Sequence, residues 1–120
     1  MQKSLEGRRI LVVEDEFLIA MEVEDVLRGL DAEVVGPFGR LAPALGAVQR
    51  EALDGAVLDV RIGGETIEPV AAVLVSRGVP VLLTTGYEGD QLPPDLRHLP
   101  RLRKPFDERD LREMLEQAYR

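Results

Sequence analysis

Three consecutive acids, Glu14-Asp15-Glu16, a lone acid at Asp59, the hydroxyl pair Thr84-Thr85 and the basic Lys104 are the residues of this chain whose types suit chemistry. Clustered carboxylates repel one another and are costly unless a cation joins them, and a hard divalent ion with oxygen ligands is the natural choice. Mg²⁺ takes one or two carboxylates and keeps its other positions for water and phosphate oxygens. A carboxylate is also a nucleophile that forms aspartyl phosphates, which suits Asp59. The Thr85 hydroxyl can donate to one phosphoryl oxygen, and Lys104 brings a compact point charge to another. Positioning and charge stabilisation are most of what phosphoryl transfer asks of a protein. Taken singly, each feature has an ordinary explanation: acids favour a helix start, an acid can cap a turn, and Lys-Pro is a common dipeptide. They make a site only if the fold brings them together.

The elements expected around them do so. Short β-branched runs alternate with helix-period segments, the pattern of an α/β domain with a parallel sheet. Strands are predicted at Arg9–Glu14, Glu33–Gly36, Ala56–Asp59 and Val79–Thr84, with a weaker one at Arg101–Arg103. The middle runs are almost wholly apolar, as in strands covered by helices on both faces. The spacing of Ile19, Val23, Val26, Leu27 and Leu30 predicts a helix over Glu16–Leu30, and Leu41, Leu45 and Val48 predict a second. Pro69 suits the first turn of a third helix and Gly78 its end. Asp107 suits the N-cap of the last, whose apolar face is Leu111, Met114, Leu115 and Ala118. Gly86–Pro100 breaks the rhythm. With Gly86, Gly89, Pro93, Pro94 and Pro100, it predicts a loop or a short turn of helix in place of a regular fourth helix. In a parallel α/β sheet, ligands bind outside the carboxyl ends of the strands. Those ends carry Glu14-Asp15-Glu16, Asp59, Thr84-Thr85 and Lys104.

Bulk composition narrows the function. The chain has 120 residues, 45% of them hydrophobic, enough for a single domain with one proper core and no second domain. The absence of cysteine agrees with a reducing cytoplasm. The polar start and the interruption of Ile10–Val13 by Glu14 and Asp15 exclude a signal peptide or anchor, and no run approaches the roughly 20 apolar residues of a membrane span. A cytoplasmic location without a membrane partner is expected. The net charge is −7, and the uninterrupted basic pairs are Arg8-Arg9 and Arg103-Lys104. Nucleic-acid binding needs a concentrated basic surface, so no nucleic-acid partner is expected.

Four motifs, each at an expected strand end, carry a family resemblance over nearly the whole chain: Ile10-Leu-Val-Val-Glu-Asp-Glu, Ala56-Val-Leu-Asp59, Pro80-Val-Leu-Leu-Thr-Thr85-Gly and Arg103-Lys104-Pro105-Phe106. In order and spacing they resemble the response-regulator receiver domain of the CheY-like superfamily. The resemblance implies a flavodoxin-like fold, a five-stranded parallel sheet of order 2-1-3-4-5 with helices on both faces, the fourth helix here degenerate. It implies one receiver domain over residues 1–120, with its core at about 8–119. It implies Asp59 as phosphoacceptor and Asp15 as a direct Mg²⁺ ligand, with Asp59 also on the metal. Glu14 would assist through the metal or its waters, and the backbone carbonyl of Arg61 would complete the protein's share. Thr85 and Lys104 take the phosphate-sensing roles, and Mn²⁺ can substitute for Mg²⁺. The partner implied is a sensor histidine kinase or a phosphotransfer protein. The domain would be a signalling phosphoacceptor that catalyses its own phosphorylation and dephosphorylation, and not a conventional enzyme. Thr84-Thr85-Gly86-Tyr87, with Gly63-Gly64-Glu65 and the degenerate fourth helix, looks like the FAT GUY subgroup. Its members tend to pair with HWE-type kinases and often work without an output domain.

The chain departs from the family pattern in places. Glu14-Asp15 stands where many receivers have two aspartates, and Leu83-Thr84 replaces Phe-Ala of the subgroup motif. Arg101 stands three positions before the lysine, where many receivers have an aromatic switch residue, and Gly63-Gly64 stand near the place of a customary Met-Pro. That glycine pair reads as a flexible turn beside the site. The sole histidine, His98, reads as a loop residue. Tyr87 either helps signal the phosphorylated state or covers apolar surface left by the missing helix. Two other readings compete. A pseudo-receiver would bind partners without phosphorylation, against which the full set Asp15, Asp59, Thr85 and Lys104 argues. A haloacid-dehalogenase-like hydrolase would need an acid two residues after the nucleophile, where this chain has Arg61.

Overall fold

Three runs free of charge before their ends, Ile10–Val13, Gly55–Leu58 and Val81–Leu83, lie wholly buried and form the centre of the sheet. In the computed structural model, which describes residues 5–86 and 92–119, they belong to β1 (Arg9–Val13), β3 (Gly55–Asp59) and β6 (Val81–Thr85). The edges are β2 (Glu33–Phe38) and β7 (Arg101–Arg103), both only partly covered. The order is β2-β1-β3-β6-β7 and every neighbouring pair is parallel. A small antiparallel hairpin, β4 (Arg61–Ile62) and β5 (Glu65–Thr66), stands outside this sheet. With the hairpin set aside, the order is the flavodoxin-like 2-1-3-4-5 expected from the sequence.

Side chains alternate across the sheet with period two. Leu11, Val13, Ala56, Leu58, Val81 and Leu83 pack with α2 (Leu41–Arg50) and α3 (Glu68–Ser76) on one face. Ile10, Val12, Val57 and Leu82 pack with α1 (Phe17–Gly29) and α4 (Glu108–Ala118) on the other. Of the expected apolar stripes, Val23, Val26 and Leu27 in α1, Val48 in α2, and Leu111 and Leu115 in α4 are buried; Ile19, Leu41, Leu45 and Met114 are half-buried, and Ala118 is exposed, while α3 buries Val70 and Leu74. Asp107 caps α4 as expected, its carboxylate accepting from the Asp110 N–H at 2.9 Å. Gly78, at φ +72°, closes α3 in a Schellman turn: Val79 N–H donates to Leu74 O and Gly78 N–H to Val75 O, both at 3.0 Å.

Several details differ from expectation. β1 stops at Val13, so Glu14 opens the loop, and β6 runs Val81–Thr85, one residue beyond the expected end. β2 continues through Pro37 to Phe38, because a register shift opposite Leu11–Val13 accommodates a residue without an N–H. Gly63-Gly64 is an ordered two-residue turn, φ +58° and +84°, joining β4 to β5, the φ > 0 pair that a type I′ hairpin requires. Within Gly86–Pro100, Tyr87 and the rest of 87–91 lie outside the described residues. Past them stands a single turn of 3-10 helix, Pro94–Leu96, as expected of the degenerate fourth helix. Leu92 and Leu96 are buried in the α2/α3 core, a firmer anchor than their spacing suggests.

Candidate functional site

Strand register sets the site. Val13 pairs with Leu58, so the next residues, Glu14 just past β1 and Asp59 at the end of β3, stand side by side. Asp59 pairs with Thr84, and Thr85 pairs with Arg103, so Lys104 follows immediately at the neighbouring edge. The Lys104 N–H donates to the Thr85 carbonyl at 2.8 Å, and the lysine side chain then runs back across the strand ends. Its ammonium lies 3.0 Å from Asp59 Oδ2, 3.0 Å from Glu14 Oε1 and 3.6 Å from Glu16 Oε1. The Lys104, Glu14 and Asp59 side chains are 11%, 3% and 9% exposed. This is a buried ion cluster at the sheet's carboxyl rim, where a topological switch point is expected to bind ligands.

Backbone donors fix the acids. Glu16 N–H donates to Glu14 Oε2 at 3.1 Å, and Arg61 N–H makes a long contact with Asp59 Oδ1 at 3.4 Å. Asp15 is exposed, and its Oδ2 accepts from Gly63 N–H at 3.0 Å, which ties the glycine hairpin to the end of β1. The Gly-Gly turn is thus a positioning element for an acid 48 residues earlier in the chain. Asp15, Glu16, Asp59, Arg61, Gly64, Thr85 and Lys104 line one open cleft of about 390 Å³. Thr85 is buried at its wall.

The electrostatics are strained in one sense. Burial pushes the Glu14 carboxyl up to about 7; the Glu16 N–H opposes the rise, the Asp59 charge adds to it, and Lys104 opposes it. Burial alone would lower the Lys104 pKa, but its hydrogen bonds to Asp59 and Glu14 outweigh that and hold the ammonium above its ordinary value. One oxygen from each of Glu14, Asp15 and Asp59 lies within 4.8 Å of the other two. Glu14 Oε1 is buried and faces the Lys104 ammonium at 3.0 Å without a well-formed hydrogen bond. An all-oxygen donor set with more negative charge than one lysine can match fits a hard divalent cation.

Every candidate named from the sequence stands on this rim: Glu14, Asp15, Asp59, Arg61, Thr85 and Lys104. His98 does not; it is exposed beside the 3-10 turn. Glu16, read from the sequence as part of the acidic run at the end of the first strand, is the member of that run given no role in the site there. A signal was present, since Glu is a poor N-cap.

No protein-family model matches the chain, and no curated protein does. Solved structures do. SdrG from Sphingomonas melonis Fr1 is 40% identical over 96% of this chain and 97% of its own, with a TM-score of 0.81. SdrG from Pseudomonas melonis Fr1 in its BeF3-activated conformation is 40% identical, over 92% and 93% of the two chains, TM-score 0.75. The REC domain of the PhyR response regulator from Erythrobacter litoralis is 30% identical over 94% of this chain and 90% of its own, TM-score 0.78. The chain belongs to the response-regulator receiver family. At the level of fold alone, it also matches the receiver domain of the sensor histidine kinase PA1611 from Pseudomonas aeruginosa, solved with magnesium coordinated in its active-site cleft (23% identity over 94% and 97% of the chains, TM-score 0.77). No helix among the described residues is long and apolar enough to cross a membrane.

Proposed function

We propose that this receiver accepts a phosphoryl group on Asp59 from a histidine kinase or phosphotransfer protein, as one cytoplasmic receiver unit of a phosphorelay. The observation that carries the reading is the Lys104 ammonium 3.0 Å from Asp59 Oδ2 in a cleft lined by further acids. A lysine so placed steadies the nucleophile beforehand and can follow a phosphoryl oxygen afterwards. In the transfer, an Asp59 carboxylate oxygen forms a bond to phosphorus as the P–N bond to the donor imidazole breaks, and the imidazole nitrogen leaves with the electron pair. Thr85, at the end of β6, supplies a hydroxyl toward a second phosphoryl oxygen. Asp15, Asp59, Glu14 and the Arg61 carbonyl are the residues that would hold Mg²⁺, with Mn²⁺ as a substitute. When bound, that ion supplies neutralising charge to acids and phosphoryl oxygens alike.

The donor must carry its histidine to the cleft mouth. Beside that mouth, α1 exposes Phe17 (74%) and Leu18 (77%), with Met21 a turn later. Exposed large apolar residues grouped at a site's edge mark a contact surface, and a kinase or phosphotransfer helix is the partner this reading assigns to them.

Incubation with acetyl phosphate, followed by intact-mass measurement, tests the reading. Mass should rise by one phosphoryl group with Mg²⁺ and not with EDTA, and Asp59→Asn should abolish it. Undiminished labelling of Asp59→Asn refutes the assignment.

A further inference from the structure

Lys104 faces three carboxylates, and the third does not cap the helix it begins. Glu16 is the N-cap of α1, yet its side chain makes no capping hydrogen bond. Its carboxylate turns instead toward the cleft, which it lines, and pairs with the Lys104 ammonium at 3.6 Å. The side chain is 62% exposed, so it stands at the mouth while Glu14 and Asp59 lie below it. Its own N–H is bonded to Glu14 Oε2, which fixes where the side chain begins. A helix start that gives up its cap to place an anion at the entrance of an already acidic cleft loses local stability.

We propose that Glu16 is a positioning residue that acts through Lys104: it holds the ammonium toward the cleft mouth and adds a negative charge to the approach, so the cleft discriminates against highly charged free phosphodonors. The proposal deepens the reading of Asp59 as phosphoacceptor and rests on it. An N-phosphorylated imidazole on a protein, with its ring protonated, carries one negative charge fewer than a small dianion and meets less repulsion. Loss of the Glu16 charge also leaves Lys104 to Asp59 and Glu14, nearer the reacting atoms.

Two small donors of different charge separate this effect from a general one. With acetyl phosphate, a dianion near neutral pH, the Asp59 oxygen bonds to phosphorus as the P–O bond to the acetyl group breaks and acetate leaves with the electron pair. With phosphoramidate, a zwitterion of net charge −1, the P–N bond breaks and neutral ammonia leaves.

The test measures initial rates of Asp59 phosphorylation in the full chain at saturating Mg²⁺, for wild type, Glu16→Gln and Glu16→Asp. At low ionic strength, Glu16→Gln should react about 3–10-fold faster with acetyl phosphate and no more than about 2–3-fold faster with phosphoramidate, as expected for removing one charge several ångströms away. In about 1 M salt, where the Debye length falls to roughly 3 Å, the acetyl phosphate advantage should shrink below about twofold. Glu16→Asp, which keeps the charge, should retain the wild-type ratio between donors. Equal acceleration with both donors, salt-independent acceleration, or none overturns the proposal. If wild type labels on Asp59 and Glu16→Gln matches it, this proposal fails alone. If wild type takes up no phosphate, the phosphoacceptor reading fails and takes this proposal with it.

Discussion

Replacing Glu14 by glutamine should make the metal-free protein more stable at high pH, although it removes an acid from the site. The Glu14 side chain is 3% exposed, and its carboxyl is pushed up to about 7 by burial, with Lys104 only partly opposing the rise. A carboxyl whose folded pKa lies above its unfolded value of about 4.5 stabilises the fold below pH 4.5, and that contribution is lost as pH rises through 7. The gap corresponds to a loss of about 3 kcal/mol by pH 8, an upper bound because Glu14 shares its environment with Asp59 and Lys104. Glutamine fills the same space without a charge to desolvate, and Lys104 keeps Asp59 as a partner at 3.0 Å. Urea unfolding in EDTA is the assay. Between pH 5.5 and 8.5, wild type should lose roughly 2 kcal/mol relative to Glu14→Gln, a midpoint shift of about 1 M or more. Saturating Mg²⁺ should reverse the order, since a cation bound to the folded state stabilises the chain with the stronger site. If Glu14→Gln is the less stable protein at pH 8.5 in EDTA and the two pH curves run parallel, the Glu14–Lys104 pair is a net stabiliser and the reasoning is wrong.

Two further substitutions probe the scaffold beneath the cleft. Thr84 is fully buried with a hydroxyl that has no hydrogen-bond partner; Thr84→Val should raise stability by about 1–2 kcal/mol in urea titrations, and a loss of stability would mean the hydroxyl is paired. A β-carbon on Gly55 would collide with the Tyr119 hydroxyl, whose ring also carries Arg8 stacked at 5.2 Å; Gly55→Ala should cost about 2–3 kcal/mol, and should cost far less in a Tyr119→Ala background.

What the sequence made legible follows the strength of its periodic signals. The three central strands are nearly uninterrupted apolar runs, because helices cover both their faces, and such runs are read without ambiguity. The helix faces are carried by stripes such as Val23, Val26 and Leu27, and the end of α3 by a glycine whose left-handed conformation closes a Schellman turn. The hairpin at Gly63-Gly64 escaped because its strands are two residues long and have no periodicity to detect. The extension of β2 through Pro37 escaped for a different reason: proline argues against strand, and only an edge position with a register shift makes it acceptable. Asp31 is a third case. It closes α1 at φ +64°, where glycine is the usual choice, so the end of α1 lacks the signal that marks α3.

The site was legible in its membership and not in its pairing. Glu14, Asp15, Asp59, Thr85 and Lys104 could be named because each ends or follows a strand, and parallel strands deliver their ends to one rim whatever the details of packing. Which acid meets the lysine depends on register and rotamer. Val13 opposite Leu58 makes Glu14 the neighbour of Asp59, while Asp15 points outward to Gly63 and stays exposed. The adjacent acids Glu14 and Asp15 therefore have different surroundings: Glu14 is buried, raised in pKa and paired with the ammonium, and Asp15 is exposed and accepts from Gly63 N–H. That division explains why an exchange between Glu and Asp at the first position is not conservative. The extra methylene of Glu14 lets its carboxylate reach both the Glu16 N–H and Lys104 from a backbone that has already left the sheet. Glu14→Asp would shorten that reach by one carbon, and Lys104 would be left to Asp59 and Glu16, moving positive charge toward the cleft mouth. The identity of the first acid thus sets how much of the lysine's charge lies over Asp59.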